Sequence, residues 1–153
     1  MKVELLAVDR LRSAWAREAV AEYLGRVARY GSVERRDVKR AGDDESAVAD
    51  EGERLLKAAA PGPADRLVAL DRSGEALDSE GWAALLAGYA NEGARRVVFV
   101  VGGAGGLSPA VLGAAHRVVS LGAPTLAHEL AQVTLAEQLY RAWTIIRGEP
   151  YHT

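Results

Sequence analysis

Residues 97–109 read VVFVVGGAGGLSP, and few folds can accommodate such a stretch. Val97, Val98, Phe99, Val100 and Val101 show no polar alternation, so a strand made of them has both faces buried. That predicts a central strand of a parallel sheet. Gly102, Gly103, Gly105 and Gly106 follow, where the chain can take positive φ and carries no Cβ. Ser108 suits a helix N-cap and Pro109 the first helical position. The stretch therefore reads as strand, bare-backbone loop, helix. In open α/β sheets ligands bind beyond the carboxyl ends of strands, which makes the loop a candidate site. Taken alone, it serves equally well as a plain tight turn.

The rest of the chain alternates in the same way. Val3–Val8 predicts a short strand. Ser13 predicts a helix start, with the helix running to about Arg29 and Trp15, Ala19, Val20, Tyr23, Leu24 and Val27 at helical spacing. Val33–Val38 predicts a strand with one polar face, and Lys39–Glu45 a charged loop. Ser46 opens a helix that ends before Pro61-Gly62-Pro63. Arg66–Leu70 predicts a third strand, with a loop over 71–78. Ser79 opens a helix with Trp82, Leu85, Leu86 and Tyr89 inward. After the focal strand come a short helix to about His116, a fifth strand at Val118–Leu121, a turn-rich loop at Gly122–His128 and a last helix to about Arg147. The expected class is α/β, a mainly parallel sheet with helices on both faces, in a single domain over 1–153.

The last helix carries two apolar stripes. One is Leu130, Val133, Leu139, Tyr140, Trp143 and Ile146; the other is Leu135, Ala142 and Ile145. A helix apolar on two faces is covered either by its own chain or by a second copy. We favour a homodimer built on this helix.

Composition narrows the chemistry. There is no cysteine, which removes disulfides, thiolate zinc sites and cysteine nucleophiles. No apolar run approaches a membrane span, and the opening MKVELLAVDR is not a signal peptide, so a cytoplasmic protein with no membrane partner is expected. Net charge is −2, spread as +4 over 1–40, −7 over 41–80 and +1 over 81–153. Bulk attraction to nucleic acid is therefore weak, and any RNA must be met by a local patch. The three histidines, His116, His128 and His152, fit no metal spacing, so no metal is expected. The glycine loop is neither a Walker motif nor G-x-G-x-x-G, and no acid follows at the distance a dinucleotide site needs, so NAD is poorly supported.

A second backbone-rich loop, SLGAPTLAHE over 120–129, also follows a strand. With the glycine loop and the Leu70-Asp71 strand end it could form a slot for a flat base, read by peptide groups and covered by apolar side chains. His128 begins the last helix beside that slot. His116 reads as a helix-end residue, and Glu137 and Arg141 as an i, i+4 pair. The tail Glu149-Pro150-Tyr151-His152-Thr153 is of a kind that normally frays, although its Tyr-His pair suits contact with a base.

In order and spacing these pieces resemble the RlmH family of SPOUT methyltransferases. The pieces are Leu70-Asp71, VGGAGGLSP, Ser120-Leu121 before Thr125-Leu126-Ala127-His128, LAEQLYRAWTI, and Pro150-Tyr151-His152. The resemblance runs the length of the chain. It implies a homodimer with a C-terminal trefoil knot and S-adenosyl-L-methionine held bent in the knot loops. By position it implies cofactor contacts at Leu70, Gly102 and Gly103, and at Gly122, Ala123, Pro124, Thr125, Leu126 and Ala127. The implied reaction is methylation of N3 of a pseudouridine in helix 69 of 23S rRNA, on the assembled 70S ribosome. His152 with Tyr151 is the implied contact to the flipped base, with His128 second and Arg141 and Arg17 as phosphate contacts.

Relatives usually carry Gly-Gly-Pro-Glu/Tyr-Gly in the glycine loop, whereas this chain has Ala104 and Gly105, so a looser loop is expected. They usually have arginine where this chain has Gln132, and a basic residue where it has Thr153. Two cations that could touch RNA are thus absent. A non-catalytic ribosome-binding or assembly factor on the same scaffold is the alternative this suggests.

Overall fold

The computed structural model describes residues 1–153. Five parallel strands form one sheet in the order β2-β1-β4-β3-β5. They are β1 (Lys2–Val8), β2 (Val33–Val38), β3 (Asp65–Ala76), β4 (Arg96–Val101) and β5 (Arg117–Ser120). The helices are α1 (Ala14–Val27), α2 (Ala47–Ala59), α3 (Ser79–Asn91), α4 (Pro109–Ala114) and α5 (His128–Arg147). The focal strand β4 is central, as its unbroken apolar run requires, and Val97–Val101 are all buried.

Strand alternation divides the core in two. Leu5, Val68, Val97 and Phe99 face one side, where Trp82, Leu86 of α3 and Leu135, Leu139 of α5 cover them. Leu6, Leu67, Val98 and Val100 face the other, under Leu55 of α2 and Val111 of α4. A smaller cluster joins α1 to α5 through Ala16, Val20, Leu24 and Ala136. α5 therefore lies between α1 and α3, and its two apolar stripes meet both.

Several local expectations shift. Trp15 sits on the solvent side of α1 and is 53% exposed, because Ala16 and Val20 take the inward positions. α3 is capped by Asp78, which accepts from the Gly81 amide at 2.7 Å. Ser108 does cap α4, accepting from the Val111 amide at 3.3 Å. The expected loop at 71–78 is mostly strand. β3 bulges after Leu70 and resumes pairing at Glu75 and Ala76 with Val119 and Ser120. At the bulge, a Cβ on Gly74 would stand 2.6 Å from the Val118–Val119 peptide, so only glycine lets the two backbones approach so closely.

Candidate active site

At the carboxyl edge of the sheet, Leu70 (the last residue of β3 before its bulge), Val101 and Val119 lie level with one another. Leu70 pairs with Val101 of β4 on one side and with Val119 of β5 on the other. The chain leaving each strand lines one cavity of about 630 Å³, walled by Leu70–Arg72, Val101–Gly106 and most of Ser120–His128. Leu70, Gly102, Gly103, Gly122, Pro124, Thr125, Leu126, Ala127 and His128 all line it; Ala123, in the same loop, is exposed and does not. The three loops expected to form a slot therefore line one cavity, with five glycines among its lining residues.

The glycine loop is closed. The Gly106 amide donates to the Gly103 carbonyl at 3.0 Å, and the two residues form an antiparallel bridge. A Cβ on Gly102 would lie 2.6 Å from the Gly106 carbonyl carbon, so the loop folds back onto its own base. That bond spans Ala104 and Gly105, the two positions where a looser loop is expected. The second loop is pinned by Ser120, a residue whose role the sequence did not disclose. Its buried hydroxyl donates to the Gly122 carbonyl at 2.8 Å and accepts from the Gly122 amide at 3.1 Å, while Gly122 takes φ +130°.

The start of α5 is anchored from outside. Ala127 stands at its N-cap without a capping side chain. Ser13, expected to cap α1, instead gives its hydroxyl to Glu129 at 3.0 Å. Burial works against the charged form of Glu129, yet the Ser13 amide and hydroxyl and the Arg12 amide hold its carboxyl below the usual range.

His128 borders the cavity from the first turn of α5. Its Nε2 lies 3.1 Å from Nε2 of Gln132, while its Nδ1 is buried with no partner. Gln132 is fully buried, and its Oε1 accepts from Nε of Arg35, on β2, at 3.0 Å. Position 132 thus lacks a charge of its own, but a guanidinium reaches it from another strand.

The tail does not fray. Tyr151 and His152 are half-buried against the middle of α5. Glu137 and Arg141 form the expected pair at 2.9 Å, and the Tyr151 hydroxyl donates to Glu137 at 2.8 Å. Arg141 lies over the Tyr151 ring, 4.7 Å from its centroid, and faces Nδ1 of His152 at 3.2 Å. Burial, reinforced by the bond to Glu137, pushes the Tyr151 phenol up to about 12. The tail cluster is not at the cavity of its own chain: none of Glu137, Arg141, Tyr151 or His152 lines it, and Glu137 and Arg141 stand six and ten positions along α5 from Ala131, the last cavity-lining residue of that helix, about 9 and 15 Å at the helical rise.

His116 is structural. Its Nδ1 accepts from the Leu67 amide at 2.9 Å, and its own amide donates to the Leu67 carbonyl, stitching β5 to β3. Arg17 donates to the Leu11 and Arg12 carbonyls on the rim of a second cavity of about 820 Å³, which includes Arg10, Arg12 and Arg35. That cavity is the larger, but none of the three strand-end loops reaches it. No group of three or more His, Asp or Glu side chains comes together as a metal site, and no helix is long and apolar enough to cross a membrane.

The chain is 41% identical over 160 residues to the ribosomal RNA large subunit methyltransferase H of Rhizobium etli and 40% identical over 157 residues to that of Geotalea daltonii, in both cases across 99% of each chain. A protein of the same name from Anaeromyxobacter sp. is 42% identical over 155 residues, again across 99% of each. Among solved structures, a probable methyltransferase from Bordetella pertussis aligns with a TM-score of 0.59 at 21% identity, covering 92% of this chain and 95% of its own, which bears on the fold alone. The family model described as predicted SPOUT methyltransferase matches residues 1–152, and the chain belongs to that family.

Proposed function

We propose that the protein methylates N3 of a pseudouridine in helix 69 of 23S rRNA, on the assembled ribosome in the cytoplasm, using S-adenosyl-L-methionine. The observation that carries the reading is the convergence of three peptide-walled loops on one cavity, in a chain 41% identical to a large-subunit rRNA methyltransferase. The cavity fits the cofactor. About 630 Å³ is a size suited to a nucleoside with an amino-acid chain, its walls offer peptide donors and acceptors, and the buried Nδ1 of His128 awaits a partner. Leu70, Gly102, Gly103 and the run Gly122–Ala127 would hold it. When bound, it supplies an electrophilic sulfonium methyl.

The target N3 is an imide nitrogen that must lose its proton to solvent as the new N–C bond forms. Arg141 can only donate, so its contact fixes Nδ1 of His152 as an acceptor and leaves the proton on Nε2. His152 would then offer an N–H to an imide carbonyl oxygen, stabilising the charge that builds there as the proton leaves. Tyr151, held protonated, and Glu137 keep His152 and Arg141 in position.

We further infer a homodimer whose partner supplies the tail. The tail docks about 9–15 Å along α5 beyond the last cavity-lining residue of that helix, Ala131, and does not line its own cavity. The two large apolar side chains left exposed, Trp15 and Leu130, flank the Glu129–Ser13 contact where α1 meets α5. A threaded C-terminus fits the path of the chain: α4 packs on the α2 face, and after β5 the loop crosses the ends of β3 and β4 to put α5 beside α3. Tritiated-methyl transfer to 70S ribosomes lacking the mark tests the reading. Label in 23S rRNA with wild type, and none with Gly103→Trp, is expected. Ribosome co-sedimentation without transfer would favour the assembly-factor alternative.

A further inference from the structure

We infer that Arg35 and Gln132 are positioning residues that set the tautomer of His128, so that its Nδ1–H is presented to the cavity as a donor for an acceptor oxygen of the bound methyl donor. This rests on the reading of the cavity given above and adds residues to it. The wiring follows from which groups can donate. The guanidinium of Arg35 has no acceptor, so Nε at 3.0 Å requires the carbonyl oxygen of Gln132 on that side. Arg35 is itself fixed by two further bonds, to the Asp9 carbonyl at 3.0 Å and to Asp37 at 2.6 Å. The amide nitrogen of Gln132 must therefore face His128, and it can only donate. Nε2 of His128, 3.1 Å away, is then the acceptor, and the neutral ring carries its proton on Nδ1.

That N–H is the end of the chain of bonds. It is buried, has no partner in the protein, and belongs to a residue that lines the cavity. A buried donor left unmatched is costly, so a ligand oxygen that accepts from it gains more than one meeting a solvated donor. The neighbouring carboxylate, Glu129, is turned away toward Ser13 and does not take this proton. Three residues from β2 and α5 thus act as one relay, and the part that meets the ligand is a single hydrogen atom.

Two measurements on the full-length protein test this. Nitrogen-15 NMR of labelled histidine reads the tautomer directly: His128 of the wild type should carry its proton on Nδ1, and Arg35→Met or Gln132→Leu should shift population to Nε2. Calorimetry with S-adenosylhomocysteine reads the consequence. His128→Leu should weaken binding about tenfold. His128→Asn, whose amide N–H stands two bonds from Cβ where Nδ1 stands, should stay within about threefold of wild type. Arg35→Met should fall between them, with an unchanged circular dichroism spectrum. A wild-type His128 protonated on Nε2, or a shifted tautomer with unmoved affinity, would overturn the inference. Failure of the wild type to bind S-adenosylhomocysteine at all would instead sink the reading of the cavity.

Discussion

Tyr151 shows how much one side chain decides here. Burial and its bond to Glu137 push its phenol up to about 12, and Tyr30, half-buried and bonded to Glu149 at 2.5 Å, is likewise pushed up to about 12. A tyrosine raised in the folded state binds its proton more tightly than in the unfolded chain. Its contribution to stability is present below about 10, the unfolded value, and is lost as pH rises toward 12. Thermal melts between those limits should show a steep fall in wild type, a shallower one in Tyr151→Phe, and the shallowest in Tyr30→Phe/Tyr151→Phe. The tail was legible as a motif, but its docking was not. Nothing in Pro150-Tyr151-His152 announces that Glu137 and Arg141, more than two turns back, will hold it. Similarly, His128 was legible as a neighbour of the slot, whereas Arg35 was hidden because its partner Gln132 is 97 residues away.

At the level of elements, the central strand and its loop were the most readable part of the chain, because Val97–Val101 have no polar face to offer solvent and Ser108-Pro109 leaves one way to start a helix. The β3 bulge was not readable. Residues 71–76 contain Asp71, Arg72, Ser73 and Gly74, which signal a turn, yet pairing with β5 resumes across them. Trp15 was misplaced because helical spacing alone cannot tell which of two adjacent stripes packs inward. The glycine loop makes a sharper claim. Gly102→Ala would drive a methyl into the Gly106 backbone at 2.6 Å, where no flexible side chain can yield. We expect a loss of about 1–3 kcal/mol in urea denaturation together with weakened S-adenosylhomocysteine binding. At Gly113, where a Cβ meets open space, alanine should leave both unchanged.

Across the whole molecule, the central strands carry a buried ion-pair cluster at one end and the cavity at the other. Arg96 joins Glu4 at 3.2 Å and Asp65 at 3.0 Å near the amino ends of the strands, while the carboxyl ends carry glycine-rich loops and the cavity. Separation of the tail from its own cavity has a consequence at the same scale. A dimer formed from one subunit lacking the tail's His152 (His152→Ala) and one with a disrupted glycine loop (Gly103→Trp, whose side chain would start 3.2 Å from Val8) retains one intact composite site. Mixed dimers should recover roughly half the methyl transfer of wild type, where either homodimer alone gives almost none; no recovery on mixing would show that tail and cavity act within one chain.

The central proposal at these three scales is that the cavity at the carboxyl edge of β3, β4 and β5 holds a methyl donor for rRNA. The most direct measurement is transfer of tritiated methyl from S-adenosyl-L-methionine to 70S ribosomes lacking the mark, with the labelled nucleotide identified by mass spectrometry. Label on N3 of a helix 69 pseudouridine, abolished by Gly103→Trp, is the predicted result. Unlabelled 23S rRNA with wild-type protein, or label that survives Gly103→Trp, would contradict it.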